Sequence, residues 1–174
     1  FNLPGFDIDA FFGRLGEYFV VEGKPDMKSV QGALDEVAPD SSTNAFGLYQ
    51  GGKWWFMRLK DAEIMNKLAP ERSPEWRSLD VAILHEVILE HILGINKEAQ
   101  AAKTNISYDR LPEDSIARVD KGTHQLVILM NPTKLSQIRD VAGKGEVMPQ
   151  KSTDFYPKLI TGLVCAKVDL GPKK

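Results

Sequence analysis

Eleven residues, Met148-Pro149-Gln150-Lys151-Ser152-Thr153-Asp154-Phe155-Tyr156-Pro157-Lys158, bring together two lysines, three hydroxyls and two prolines. Ammonium groups, hydroxyls and backbone N–H donors are the groups that hold a phosphate or a carboxylate. Proline fixes its own φ and restricts the residue before it, so Pro149 and Pro157 make this a loop of limited freedom. Lys151, Ser152, Thr153 and Lys158 are therefore the candidate ligand-binding residues, weighed against an ordinary solvent-exposed turn. Lys-Ser-Thr also ends a nucleotide-binding P-loop, but that motif needs glycine before the lysine and this chain has Gln150, which excludes it.

Other constellations read as structure. His85-Glu86-Val87-Ile88-Leu89-Glu90-His91 looks like a zinc-protease helix, yet histidines four apart are required and Leu89 fills that place. On an α-helix of 3.6 residues per turn, His85 and His91 point about 240° apart, so no metal site is expected. The same wheel puts Asp80 and His91 in the apolar arc of Leu84, Val87 and Ile88, with His85, Glu86 and Glu90 outside it. Asp80 then either complements the helix N-terminus or faces a pocket and orients a lysine or a ligand hydroxyl. His91 needs one core hydrogen bond. Glu86 and Glu90 read as a solvated face. There is no G-x-S-x-G elbow, and no spacing of Ser, His and Asp suggests a triad. Cys165 reads as an inert thiol in an apolar strand, and Trp54-Trp55-Phe56 reads as core.

The chain that must position these groups has 174 residues, of which 43% are hydrophobic, enough for one domain over residues 1–174 with its own core. A net charge of -2 gives no general attraction to nucleic acid or to an anionic membrane, so neither is an expected partner. No apolar run reaches the roughly 20 residues of a membrane-spanning helix. A single cysteine suits the reducing cytoplasm. Phe1-Asn2-Leu3-Pro4-Gly5 reads as the middle of a connection, which makes this a piece of a longer protein.

Hydrophobic periodicity supplies the elements. Ile8, Phe11, Phe12 and Leu15 follow Asp7, a good N-cap, and lead into the β-rich Tyr18-Phe19-Val20-Val21. Val30, Ala33, Leu34 and Val37 mark a second helix that Pro39 ends. Ala45 to Gln50 and Lys53 to Leu59 form a hairpin across Gly51-Gly52, a pair that accepts positive φ. Leu79 to Leu93 is the expected central core helix, with Ser78 as N-cap and Gly94 at its end. Asn105 to Asp109 and Gln125 to Met130 are strand candidates. Glu113 to Asp120, with Pro112 to open it and Gly122 to close it, and the segment around Leu135, Ile138 and Val141 are helices, and Gly162 to Val168 is a last strand. The sum is an α+β fold, a mixed sheet with one antiparallel hairpin, covered by helices.

Leu79-Asp80-Val81, Leu84-His85-Glu86, Leu93-Gly94-Ile95, Asn131-Pro132-Thr133 and Gly145 to Pro149, together with Lys151 to Lys158, resemble one prokaryotic family, domain of unknown function family 1015. The resemblance runs from Ala45 onward, and family members have proline where this chain has Gln150. It implies that the chain corresponds to the C-terminal part of such a protein. The N-terminal half of the family carries an Asp-Gly-His-His-Arg motif similar to that of free-serine kinases of the ParB and sulfiredoxin-like group. That half is the implied partner, and the resemblance implies small-molecule kinase activity for the whole and none for this piece alone.

The resulting expectation is a domain that binds a small anion, a nucleotide or a phosphorylated amino acid, through Lys151, Ser152, Thr153 and Lys158, with Asp80 as a supporting group. It would complete a phosphotransfer site with the N-terminal half. No catalytic residue and no cofactor is assigned. The alternative is a structural or interaction module in which the motif is a rigid crossing loop.

Overall fold

Asp7 accepts a hydrogen bond from the Ala10 amide and Asp26 one from the Ser29 amide, both at 2.7 Å. Each occupies an amide that the first turn of a helix leaves without an internal partner. These caps open α1 (Ile8–Tyr18) and α2 (Met27–Val37), with β1 (Phe19–Lys24) between them. The fold is that of a computed structural model and covers residues 1–40 and 42–152. The later elements are β2 (Ala45–Gln50), β3 (Lys53–Leu59), α3 (Ile64–Leu68), α4 (Pro74–Arg77), α5 (Asp80–Ile83), a π-helix (Leu84–Ile92), α6 (Lys97–Ala102), α7 (Pro112–Asp120), β4 (Val127–Met130) and α8 (Leu135–Gly143).

Gly51 and Gly52 take φ values of 56° and 80°, and the β2–β3 hairpin closes across them as the sequence indicates. The strands lie in the order β1-β3-β2-β4. The α+β class holds. Every pairing among the described residues is antiparallel, so the sheet expected to be mixed has no parallel pair there. The expected strand Gly162 to Val168 lies outside the described residues.

Alternation divides the sheet into two faces. Phe46, Leu48 and Met57 pack with α1, α5 and the π-helix, through Phe11, Leu15, Val81, Val87 and Ile88. Ala45 and Phe56 face the other way, onto Val30 and Leu34 of α2. Trp55 meets Phe12 on the first face, at 4.8 Å between rings, while Trp54 stacks near Tyr49 at 4.4 Å on the second. Phe56 is core, and the two tryptophans are half-buried, one packed on each face of the sheet.

The segment expected as a central core helix is central, but its inner part is not an α-helix. After α5 it widens into the π-helix, and the Leu93 amide donates to the carbonyl of Ile88, five residues back, at 2.9 Å. A wheel drawn at 3.6 residues per turn therefore misplaces its side chains. Glu86, expected on a solvated face, is buried and pairs with Lys97 of α6 at 3.3 Å. Burial raises its carboxyl above the usual range, against the pull of Lys97. His91 does have its hydrogen bond, a part-buried one between Nε2 and the Tyr18 hydroxyl, 2.8 Å apart.

Two further details differ from the sequence reading. Leu79, not Ser78, precedes α5 as its cap residue. Ser73 does the capping one short helix earlier, its hydroxyl accepting from the Trp76 amide at 3.1 Å. Asn105 to Asp109 forms no strand. Asn105 is held elsewhere: its side-chain amide donates to the carbonyls of Phe1 and Asn2, at 3.2 and 2.9 Å. Among the described residues no helix is long and apolar enough to cross a membrane.

Gly47 lets α2 and β4 pack close to the sheet: a Cβ there would stand 2.5 Å from Val30 Cγ1 and 3.2 Å from Leu129 Cβ. Gly47→Ala is expected to destabilise the fold by about 1–3 kcal/mol, read as a lower urea midpoint. A double-mutant cycle with Val30→Ala should give a favourable coupling, because the valine methyl is what the new carbon displaces. Additive effects would show that the strand simply shifts aside.

Candidate functional site

The lysine-hydroxyl loop starts where α8 stops. Gly145 turns the chain with φ at 73°, and the next two residues are fastened to α4. The Glu146 carboxylate accepts from the Ser73 amide at 3.2 Å and from the Ser73 hydroxyl, and Arg72 lies 3.9 Å away. The Trp76 indole donates to the Val147 carbonyl at 3.2 Å. A carboxylate at the first turn of a helix is favoured by the exposed amides there.

At the far end of this held segment, Ser152 is buried and its hydroxyl donates to the Pro149 carbonyl at 2.6 Å. Its one proton is used in closing the turn, so it folds the loop and does not point a donor at a ligand. Lys151 is exposed, has φ at 66°, and carries its ammonium 5.7 Å from the centre of the Tyr108 ring, a cation–π distance. Thr153 and Lys158 lie outside the described residues.

Lys151 and Ser152 stand on the wall of a cavity of about 860 Å³, whose apolar side includes Leu84, Leu89, Leu93 and Ile95. That is within the size range of small-molecule sites. The π-helix aims His85 into it as well. The Nε2 atom of His85 and the Oε1 atom of Gln125 are both buried on this lining without a hydrogen-bond partner among the described residues. Burial lowers the His85 pKa, so the ring is neutral at pH 7. Two buried polar atoms without partners are costly unless something polar fills the space between the walls.

Charge on the lining is weighted toward the positive. Arg110 and Lys151 line the cavity with Asp109, and Asp109 already pairs with Arg118 at 3.1 Å and accepts from Ser115 at 2.7 Å. The same wall holds a serine–histidine pair. Ser107 Oγ and His124 Nε2 are 2.9 Å apart. Sequence spacing gave no sign of it, because the two residues lie in irregular chain on either side of α7.

Asp80 is elsewhere. It borders a cleft of about 170 Å³ with Asp40, Asn131 and Lys134, and it does not line the cavity that Lys151 borders. The Asn44 side chain bridges from the Ser78 carbonyl, at 2.9 Å, to Asp80 Oδ1, at 2.7 Å. Asp80 is thus at the N-terminus of α5, as one of the two sequence readings has it, and burial raises its carboxyl above the usual range. Among the described residues no group of three or more His, Cys, Asp or Glu is placed to hold a metal ion.

Comparisons with protein-family models, with curated proteins and with solved structures return no match.

Because the folded pKa of Asp80 is raised, the unfolded chain holds fewer protons than the native one above the unfolded value, and ionised Asp80 costs stability at neutral pH. Asp80→Asn keeps an acceptor for Asn44 and removes that charge. The variant is expected to be more stable than wild type at pH 7, with the gain shrinking as pH falls through the raised pKa and vanishing below the unfolded value. Urea titrations across that range check it; a loss of stability at pH 7 would mean that attraction to the helix N-terminus outweighs burial.

Proposed function

We propose that this domain binds a small anionic molecule, a nucleotide or a phosphorylated amino acid, in the large cavity, with Lys151 neutralising its charge at the wall. The observation that carries this reading is the lining itself. Apolar walls, two buried polar atoms without partners among the described residues and an exposed lysine held on a fastened loop meet in a space of about 860 Å³. The loop anchorage through Glu146 and Trp76 supports it, since a pre-set cation loses little freedom on binding. Asp80 has no part in it.

The resemblance to family 1015 extends the proposal. In a protein of that kind the N-terminal half would bring the kinase-like motif, and this domain would hold the phosphorylated ligand against it in the cytoplasm. Phosphoryl transfer is largely positioning and charge neutralisation, so a lysine on a second domain is a suitable contribution. One feature favours the structural alternative: the Ser152 hydroxyl serves the loop and not the cavity.

Scanning the melting of the full chain with ATP and with phosphoserine separates the two readings. Under the first, one of these ligands raises Tm by roughly 5–10 °C at a hundredfold excess over Kd, and Lys151→Ala loses the rise while melting normally without ligand. If neither compound moves Tm in wild type, or if the variant responds as wild type does, the anion site is wrong and the loop is structural.

A further inference from the structure

We propose that Ser107 is a nucleophile on the cavity wall, with His124 as its general base, and that the cavity accepts an ester whose acyl group is apolar. The first support is the direction of the hydrogen bonds. The Thr123 hydroxyl donates to the Arg118 carbonyl at 2.8 Å, and a carbonyl can only accept. Its single proton is spent there, so at the 3.2 Å contact between Thr123 Oγ1 and His124 Nδ1 the ring nitrogen must be the donor. With the proton on Nδ1, Nε2 is the bare nitrogen, and Ser107 donates to it across 2.9 Å. This is the tautomer that a serine's general base requires, oriented by a third group.

The surroundings suit the role. Ser107 and His124 are each half-buried on the cavity lining, next to apolar walls that can receive an acyl chain. The Phe1 ring packs against the imidazole at 4.7 Å, which restricts its rotation. His124 is faced by Arg118 and Asp109; burial first, then Arg118, holds its pKa below the ordinary 6.5, with Asp109 opposing. The ring is therefore neutral and able to take a proton at pH 7.

In the reaction, Ser107 Oγ bonds to the acyl carbon while the bond from that carbon to the alkoxide breaks. The serine proton passes to His124 Nε2 and leaves on the departing alcohol. Water then attacks the acyl-serine, His124 again receives the proton, and a carboxylic acid departs as Ser107 regains its hydrogen.

Phenylmethylsulfonyl fluoride tests this on the full chain, since Ser107 Oγ would bond to sulfur as fluoride leaves. Peptide mapping by mass should find one sulfonyl group, on Ser107. His124→Gln should slow labelling by on the order of a hundredfold, and Thr123→Val, which leaves the imidazole in place without its Nδ1 acceptor, should slow it less. Wild type alone gives a further measurement: the labelling rate should fall with pH through a midpoint below 6.5. No adduct, an adduct on another residue, or an unchanged rate in His124→Gln overturns the proposal. The probe is uncharged, so labelling succeeds or fails independently of whether Lys151 binds an anion.

Discussion

Five of the six residues of β2 are buried, and the arrangement of the other elements follows from having to cover that strand on both faces. A strand with protein above and below cannot slip by one residue, because every side chain would change face. Phe46 and Leu48 are thereby committed to the π-helix side and Ala45 to the α2 side. Gly47 lets α2 approach more closely than any side chain would allow. β4 pairs along β2, and the Tyr49 hydroxyl donates to Asp120 at the end of α7. Both walls that flank the large cavity are thus registered on one buried strand.

The π-helix has the second largest effect. Widening the turn after α5 redistributes residues that an α-helix would have arranged in one apolar arc and one polar arc. Glu86 enters the protein and takes Lys97 as its partner, while His85 reaches the cavity with Nε2 unpartnered among the described residues. Such segments are rare, and they recur where side chains are placed for binding and not for packing alone.

Much of the fold was legible. The Gly51-Gly52 hairpin could be read because glycine is the residue that tolerates the turn, and Asp7 because a carboxylate is what the free amides of a helix start attract. Pro112 and Gly122 bracketed α7 for comparable reasons, and Gly122 does take a φ of 72°. What could not be read depended on groups distant in sequence. Asn105 to Asp109 has strand-like composition, but its side chains take distant partners: Asn105 the carbonyls of Phe1 and Asn2, Ser107 the His124 ring, and Asp109 Arg118 and Ser115. Ser78 does not cap α5 because the short helix α4 ends on it, and its hydroxyl donates back to the Glu75 carbonyl. The same limit applies to the site. Lys151 was visible as a cation in a constrained loop, whereas the Ser107–His124 contact depends on α7 folding the chain back, and no spacing rule encodes that.

The backbone of Lys151 has a consequence for how such a loop changes over generations. A left-handed conformation costs an L-residue with a side chain roughly 1–2 kcal/mol, and φ at 66° places Lys151 there. Glycine would relax the turn and delete the ammonium in a single replacement. Mutational drift governed by folding alone would therefore run toward the shorter residue, while selection for a charge at this spot would run against it. Which residue occupies this position in related chains is accordingly a record of which pressure has prevailed, legible without any assay.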